Sequence, residues 1–152
     1  MKKVALLMGS ESDRPVMEAA LPYLDHFSVP YEVRVLSAHR QPEEVAEYAK
    51  QARDKGFGVI IAGAGMAAHL AGALKAHSTL PVIGVPLPGG VADGLDALLA
   101  TVQMPKGVPV ATMSVGQPGA INAAVLAVEI LALAEPSLHD RLVQFKARGA
   151  KL

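Results

Sequence analysis

Five short apolar runs, each handing over to a stretch of helical spacing, constrain this chain more than any other feature. The runs are "KVALLMG", "YEVRVLS", "FGVIIAGAG", "PVIGVPL" and "GVPVATMSV". The stretches between them are "SDRPVMEAALPYLDHF", "PEEVAEYAKQARDKG", "MAAHLAGALKAHS" and "VADGLDALLATVQ", and two more helical patterns, "AINAAVLAVEILALA" and "PSLHDRLVQFKARGAKL", close the chain. In the first helix Val16, Ala19, Ala20, Tyr23 and Leu24 fall on one side, Ser12 or Asp13 can cap it, and Pro15 suits its first turn. The second carries acids early, bases late and Gly56 as a stop. Strands that read as apolar runs and alternate with helices form a parallel sheet covered on both faces. Five of them favour a flavodoxin-like three-layer α/β sandwich with strand order 2-1-3-4-5. No repeat, linker or break in composition interrupts the pattern, so residues 1–152 are expected to form one domain. Its last helix, 136–151, is expected to pack on the core or on a neighbouring subunit.

Composition narrows the partners. Lys plus Arg equals Asp plus Glu at 14 each, which argues against nucleic acid or an anionic membrane as the main partner. There is no cysteine, which excludes disulfides, thiol catalysis and Cys-type zinc sites. The start, "MKKVALLMGSESD", faintly mimics a signal peptide, but its apolar run is too short and charges follow at once. A cytoplasmic protein without membrane contact is the expectation.

In parallel sheets of this type ligands bind outside the carboxyl ends of the strands. Strand one ends in Gly9-Ser10-Glu11-Ser12-Asp13, strand two in Ser37-Ala38-His39-Arg40, strand three in Gly63-Ala64-Gly65 with His69 one turn into the helix, and strand four in Pro86-Leu87-Pro88-Gly89-Gly90. Strands one, two and three carry most of the polar chemistry, and the expected order makes them neighbours. The small residues of "MGSESD" ahead of a helix start suit an anion, and Asp13 can accept from sugar hydroxyls; an ordinary capped turn would look the same. Arg40 suits bidentate recognition of phosphate or carboxylate, although most arginines serve in surface ion pairs. His39 beside it can exchange a proton near neutral pH. Gly63 and Gly65 permit close backbone approach. His69, near a helix N-terminus, reads as a neutral donor to substrate or as a packed helix residue. His26, His77 and His139 are scattered. No two histidines pair with a carboxylate at metal-ligand spacing, so no metal is expected.

The helix at 120–134 carries only two polar residues, Asn122 and Glu129, and they share one face. Apolar surface on every other side is more than one small domain should need, and burial against another subunit is the simplest expectation.

"MGSESD", "SAHR", "AGAGMAAHL", "VIGVP" and "VQMPKGVPVAT" occur here in the order and at about the spacing of the 5-(carboxyamino)imidazole ribonucleotide mutases of purine biosynthesis. The chain resembles that family from about Val4 to about Leu133, and "SAHR" with "GSxSD" and "QMPxGVPV" is the specific combination. The resemblance implies a flavodoxin-like subunit in a homo-octamer and no metal or organic cofactor. It also implies transfer of a carboxylate from the exocyclic amine to carbon 4 of an aminoimidazole ribonucleotide. By matching position it places Ser10, Ser12, Asp13 and Arg40 on the ribonucleotide, with Arg40 at the phosphate. His39 would be the acid/base, and Ser37, Ala38, Ala64, Gly65, His69 and Leu70 would line the pocket. It raises functional coupling to an ATP-dependent carboxyaminoimidazole ribonucleotide synthase. A related branch that carboxylates aminoimidazole ribonucleotide directly with CO2 shows "SAHK" and an Asn-containing loop after strand three, so Arg40 and "AGAG" favour the mutase branch. Met66, Ala71 and Arg14 depart from the family pattern, which has glycine, proline and an apolar residue there. The rival reading from the fold is a flavin- or nucleotide-binding flavodoxin-like module. Low aromatic content (4%) speaks against it, because flavin rings stack on Trp or Tyr.

Overall fold

The computed structural model describes residues 1–152. Strands β1 (Lys3–Met8), β2 (Tyr31–Val35), β3 (Phe57–Ala64), β4 (Val82–Pro86) and β5 (Ala111–Thr112) form one parallel sheet in the order β2-β1-β3-β4-β5. The helices are α1 (Arg14–Met17), α2 (Leu21–His26), α3 (Pro42–Gln51), α4 (Leu70–His77), α5 (Leu95–Val102), α6 (Gln117–Ala132) and α7 (Pro136–Ala147). This is the expected flavodoxin-like order.

Side chains alternate across β1 and feed two separate cores. Leu6 and Met8 join Val59, Ile61 and Val85 under α2, α6 and α7 on one face. Ala5 and Leu7 join Ile60 and Ala62 under α3 and α4 on the other, where Val45, Tyr48, Leu70 and Leu74 close the layer. With few aromatics, small side chains do the packing. Gly84 sits where a Cβ would come within 2.5 Å of the Thr101 side chain, so β4 and α5 approach as closely as backbone allows.

Three expectations change. The first helix is broken into a 3-10 turn (Glu11–Asp13), α1, a second 3-10 turn (Glu18–Ala20) and α2. Pro22 supplies the cause: it has no N–H to continue the ladder, and the tighter turn lies just before it. The fifth strand is two residues rather than nine. It is an edge strand, and Pro109 removes a donor just before it, although the Met113 N–H still reaches the Gly84 carbonyl at 2.9 Å. The third correction concerns α6. Gly119, Ala120, Ala123, Ala124, Ala127, Val128 and Leu131 are buried within this chain, against the sheet, α2 and α7. The alanine stripe is what lets the helix settle onto the sheet, so that face is covered within the chain, while Leu133 at its end stands 89% exposed. α7 covers its far side through Leu138, Leu142 and Phe145, with Lys146 Nζ 3.3 Å from Glu129. A further outward apolar row lies on α5, at Leu95, Leu99 and Val102, with Val91 just ahead of it. No helix is long and apolar enough to cross a membrane.

Candidate active site

Strand register brings the junction loops to one level. Met8 pairs with Val35 on one side and Gly63 on the other, and Ala64 pairs with Pro86. The loops after β1, β2, β3 and β4 therefore leave the sheet together and enclose a cavity of about 350 Å³. Ser10, Ser12, Asp13, Ser37, Ala38, His39, Ala64, Gly65, His69 and Leu70 line it, as do Gly9, Met66, Ala67, Pro88, Gly89 and Gly90.

The β1 loop is held by its own hydroxyls. Ser10 Oγ accepts the Ser12 N–H at 3.3 Å and lies 2.9 Å from Ser12 Oγ. Asp13 is half-buried behind them, and burial pushes its carboxyl pKa up, against a backbone hydrogen bond from Ser10 that pulls it down. Arg14 faces away from the cavity chemistry. It donates to Glu11 at 2.8 and 3.1 Å and to Glu18 at 3.0 Å, which staples the first turn from outside. The residue that departs from the family pattern thus serves the helix.

The β2 turn is self-bonded too. The Arg40 N–H donates to Ser37 Oγ at 3.2 Å, and Gln41 Oε1 accepts the Ser37 N–H at 3.2 Å. The Arg40 side chain does not line the cavity and forms no ion pair with any carboxylate of the chain. That leaves an exposed, unpaired guanidinium beside the cavity's histidine.

His39 meets His69. Nε2 of His39 is 2.7 Å from Nδ1 of His69, with the rings nearly perpendicular at 84° and their centroids 4.8 Å apart. One of the two nitrogens carries the hydrogen and the other offers its lone pair, so each ring fixes the other's tautomer. His69 is the N-cap of α4 rather than a residue one turn inside it. Nothing in the spacing of the two histidines points to this pair. β2 and β3 are not neighbours; β1 lies between them, and the imidazoles meet across its end. His26, in contrast, packs edge-on against Phe27 at 4.9 Å between ring centroids, as a scattered histidine would.

The glycines after β3 divide. A Cβ on Gly63 would come within 2.8 Å of Met17 Cε, so Gly63 admits a helix. Gly65 would meet only ordinary contacts, the nearest at 3.7 Å, and serves the cavity wall. Met66 follows in the left-handed region at φ 53°, a conformation that costs a side-chain-bearing residue on the order of 1–2 kcal/mol. The Pro86-Leu87-Pro88-Gly89-Gly90 junction after β4 also reaches the cavity. Gly89 and Gly90 sit at φ 98° and 64°, and Asp93 Oδ1 accepts the Gly89 N–H at 2.8 Å, which ties the loop against the cavity.

Residues 3–151 match the AIR carboxylase family. N5-carboxyaminoimidazole ribonucleotide mutase from Mycobacterium tuberculosis (strain H37Rv) is 56% identical over 97% of this chain and 84% of its own length. The proteins of the same name from Pyrococcus abyssi and Aliivibrio fischeri are 53% and 48% identical, over 96% and 99% of this chain and 83% and 93% of theirs. Among solved structures, PurE from Treponema denticola superposes with a TM-score of 0.87 at 28% identity, over 97% of this chain and 90% of that one. A match running through every strand and every loop of the cavity makes this chain a member of the AIR carboxylase family.

Proposed function

We propose that this chain converts N5-carboxyaminoimidazole ribonucleotide to the aminoimidazole ribonucleotide carboxylated at carbon 4, a mutase step of purine biosynthesis, acting as a single domain. Relatives bearing the mutase name at 48–56% identity over nearly the whole chain support the reaction. The observation that carries it into chemistry is the hydrogen-bonded pair of His39 and His69 inside a cavity lined by small residues and rimmed by hydroxyls.

The carbamate C–N bond breaks with its electron pair going to nitrogen, and CO2 is released within the cavity. Carbon 4 of the ring attacks CO2, so a C–C bond forms. Carbon 4 then holds a proton it must lose, and the amine lacks one. His39 takes the first and delivers it to the second, which balances the reaction without net consumption of protons. His69 holds the His39 ring in the orientation this requires. Ala38, Ala64 and Gly65 leave space for a planar ring, and enclosure keeps the CO2 within reach. Ser10, Ser12, Asp13 and the nearby amides hold the ribose and phosphate end, with Arg40 closing onto the phosphate as the unpaired cation of the rim. The lability of the carbamate favours functional coupling to the ATP-dependent carboxyaminoimidazole ribonucleotide synthase that the resemblance raises.

We infer further that copies of the chain associate, as the homo-octamer that the resemblance implies. The support is the outward row of Leu95, Leu99 and Val102 on α5, about half exposed in the single chain. Light scattering of wild type and Leu99→Glu tests it: a large assembly that the substitution disperses is expected, and a wild-type mass of 15.8 kDa would overturn it.

The reaction is tested by supplying the carboxyamino ribonucleotide and, separately, aminoimidazole ribonucleotide with bicarbonate. Rapid appearance of the 4-carboxylate from the first alone is expected. Turnover from the second alone would replace the mutase with a direct CO2-dependent carboxylase.

A further inference from the structure

Met66 is the one large apolar side chain that stands exposed at the cavity. It lines the wall, is 63% exposed, and holds a left-handed backbone at φ 53° that glycine would adopt without strain. The conformation is fixed locally. The Ala68 N–H donates to the Met66 carbonyl and the His69 N–H to the Ala67 carbonyl, each at 2.9 Å, so the turn that sets Met66 also delivers His69 to His39. A strained position carrying an unpacked apolar side chain costs the folded chain twice. Strain of this kind persists where the surroundings enforce it, and it gathers at sites that act on ligands. Methionine, with an unbranched chain and a polarisable thioether, fits itself to irregular apolar surfaces.

We infer that Met66 is the retention residue of the site: its side chain folds over the bound imidazole and keeps CO2 from escaping between C–N cleavage and C–C formation. The inference rests on the proposed mutase reaction and deepens it. A CO2 molecule that leaves the cavity converts substrate into aminoimidazole ribonucleotide and free CO2, the amine taking its proton from solvent. That side product is countable against the 4-carboxylate. Met66 touches neither proton transfer nor phosphate, so its loss should alter how turnovers partition.

The test is the ratio of aminoimidazole ribonucleotide to 4-carboxylate formed from the carboxyamino ribonucleotide, corrected for breakdown without protein. Carbon-13 bicarbonate in the buffer reports exchange of the released CO2. Met66→Gly and Met66→Asn both accept a left-handed backbone but remove the apolar cover; Met66→Leu keeps the cover. Gly and Asn are expected to raise the ratio at least severalfold and to admit label into the product, with Leu close to wild type. Thermal melts are expected to show the Gly variant no less stable than wild type. Equal ratios in all four proteins would overturn the role of Met66 while leaving the mutase reaction standing. Absence of 4-carboxylate from wild type itself would remove the reaction and this inference with it.

Discussion

The two ends of the sheet each carry a depression of similar size, about 350 Å³ at the carboxyl end and about 310 Å³ at the amino end. They differ in what the strands deliver. At the amino end Phe57, Leu80, Pro81, Ile130 and Leu131 supply apolar walls, and the charges of Lys2, Arg53 and Glu135 stand around them. Only part of this rim is engaged: the chain's amino terminus lies 3.8 Å from Glu135 and Lys3 Nζ lies 4.2 Å from the Phe57 ring centroid, while Lys2 and Arg53 form no ion pair. At the carboxyl end imidazoles, hydroxyls and a desolvated carboxylate converge from different loops, and Arg40 has no partner. Volume alone does not distinguish a site. Convergence of imidazoles, hydroxyls and a carboxylate from several strand ends does.

The strongest way to break this contrast is at His39. His39→Asn keeps polarity and approximate size but cannot carry a proton, so turnover should fall by roughly 10²–10⁴ while substrate affinity changes little. Single-turnover conversion alongside equilibrium binding checks it, and a rate within tenfold of wild type would refute the assignment. Arg40→Lys keeps the charge but loses the fork, and should weaken substrate binding by about 1–3 kcal/mol in calorimetry. Unchanged affinity would remove Arg40 from the phosphate.

The amino end supplies the counter-case. A Cβ on Gly58 would come within 2.6 Å of Leu131 and 2.9 Å of Lys2, so Gly58→Ala should cost roughly 1–2 kcal/mol of folding stability through overpacking. Its kcat per folded molecule should equal wild type, and denaturant melts with active-site titration separate the two. The smallest effect belongs to Asp13. Its carboxyl pKa is raised in the folded chain, so the folded state binds the proton more tightly than the unfolded state does, and stability falls as pH rises through the carboxylate range. Asp13→Asn should therefore be slightly more stable than wild type at neutral pH, with the gap closing as pH drops below that range. Melting curves across pH check the sign, and a variant less stable at neutral pH would show that Asp13 is better satisfied as an anion than its burial indicates.

Much of this contrast was legible before any coordinates. Apolar runs alternating with helical spacing fix a parallel sheet, and a parallel sheet puts ligands at the carboxyl ends. That was enough to gather Ser10, Asp13, Ser37, His39, Gly65 and His69 into one place. What stayed hidden depended on tertiary distance or on cancellation between local rules. His39 and His69 are 30 residues apart, and only the position of β1 between their strands lets the rings meet. The two-residue β5 was hidden because apolar β-branched residues promise a strand while Pro109 and an edge position limit it. α6 misled for a different reason. Its composition tells how much of it must be covered, but not by what, and here the sheet and α7 cover it. The outward row on α5 was missed because three exposed apolar residues at helical spacing look like any core-facing stripe.

The turn after β2 closes on itself before any ligand arrives. Ser37 bonds to Arg40 and Gln41 within the turn, and the Gln41 N–H returns to the Ser37 carbonyl at 2.8 Å. A ligand docking beside it therefore meets backbone whose entropy was spent during folding, and what remains to be ordered is the free rotation of a few side chains, Arg40 and Met66 foremost. Binding measured across temperature should then carry the heat-capacity change of apolar burial alone, without the larger signature of a segment folding onto its ligand.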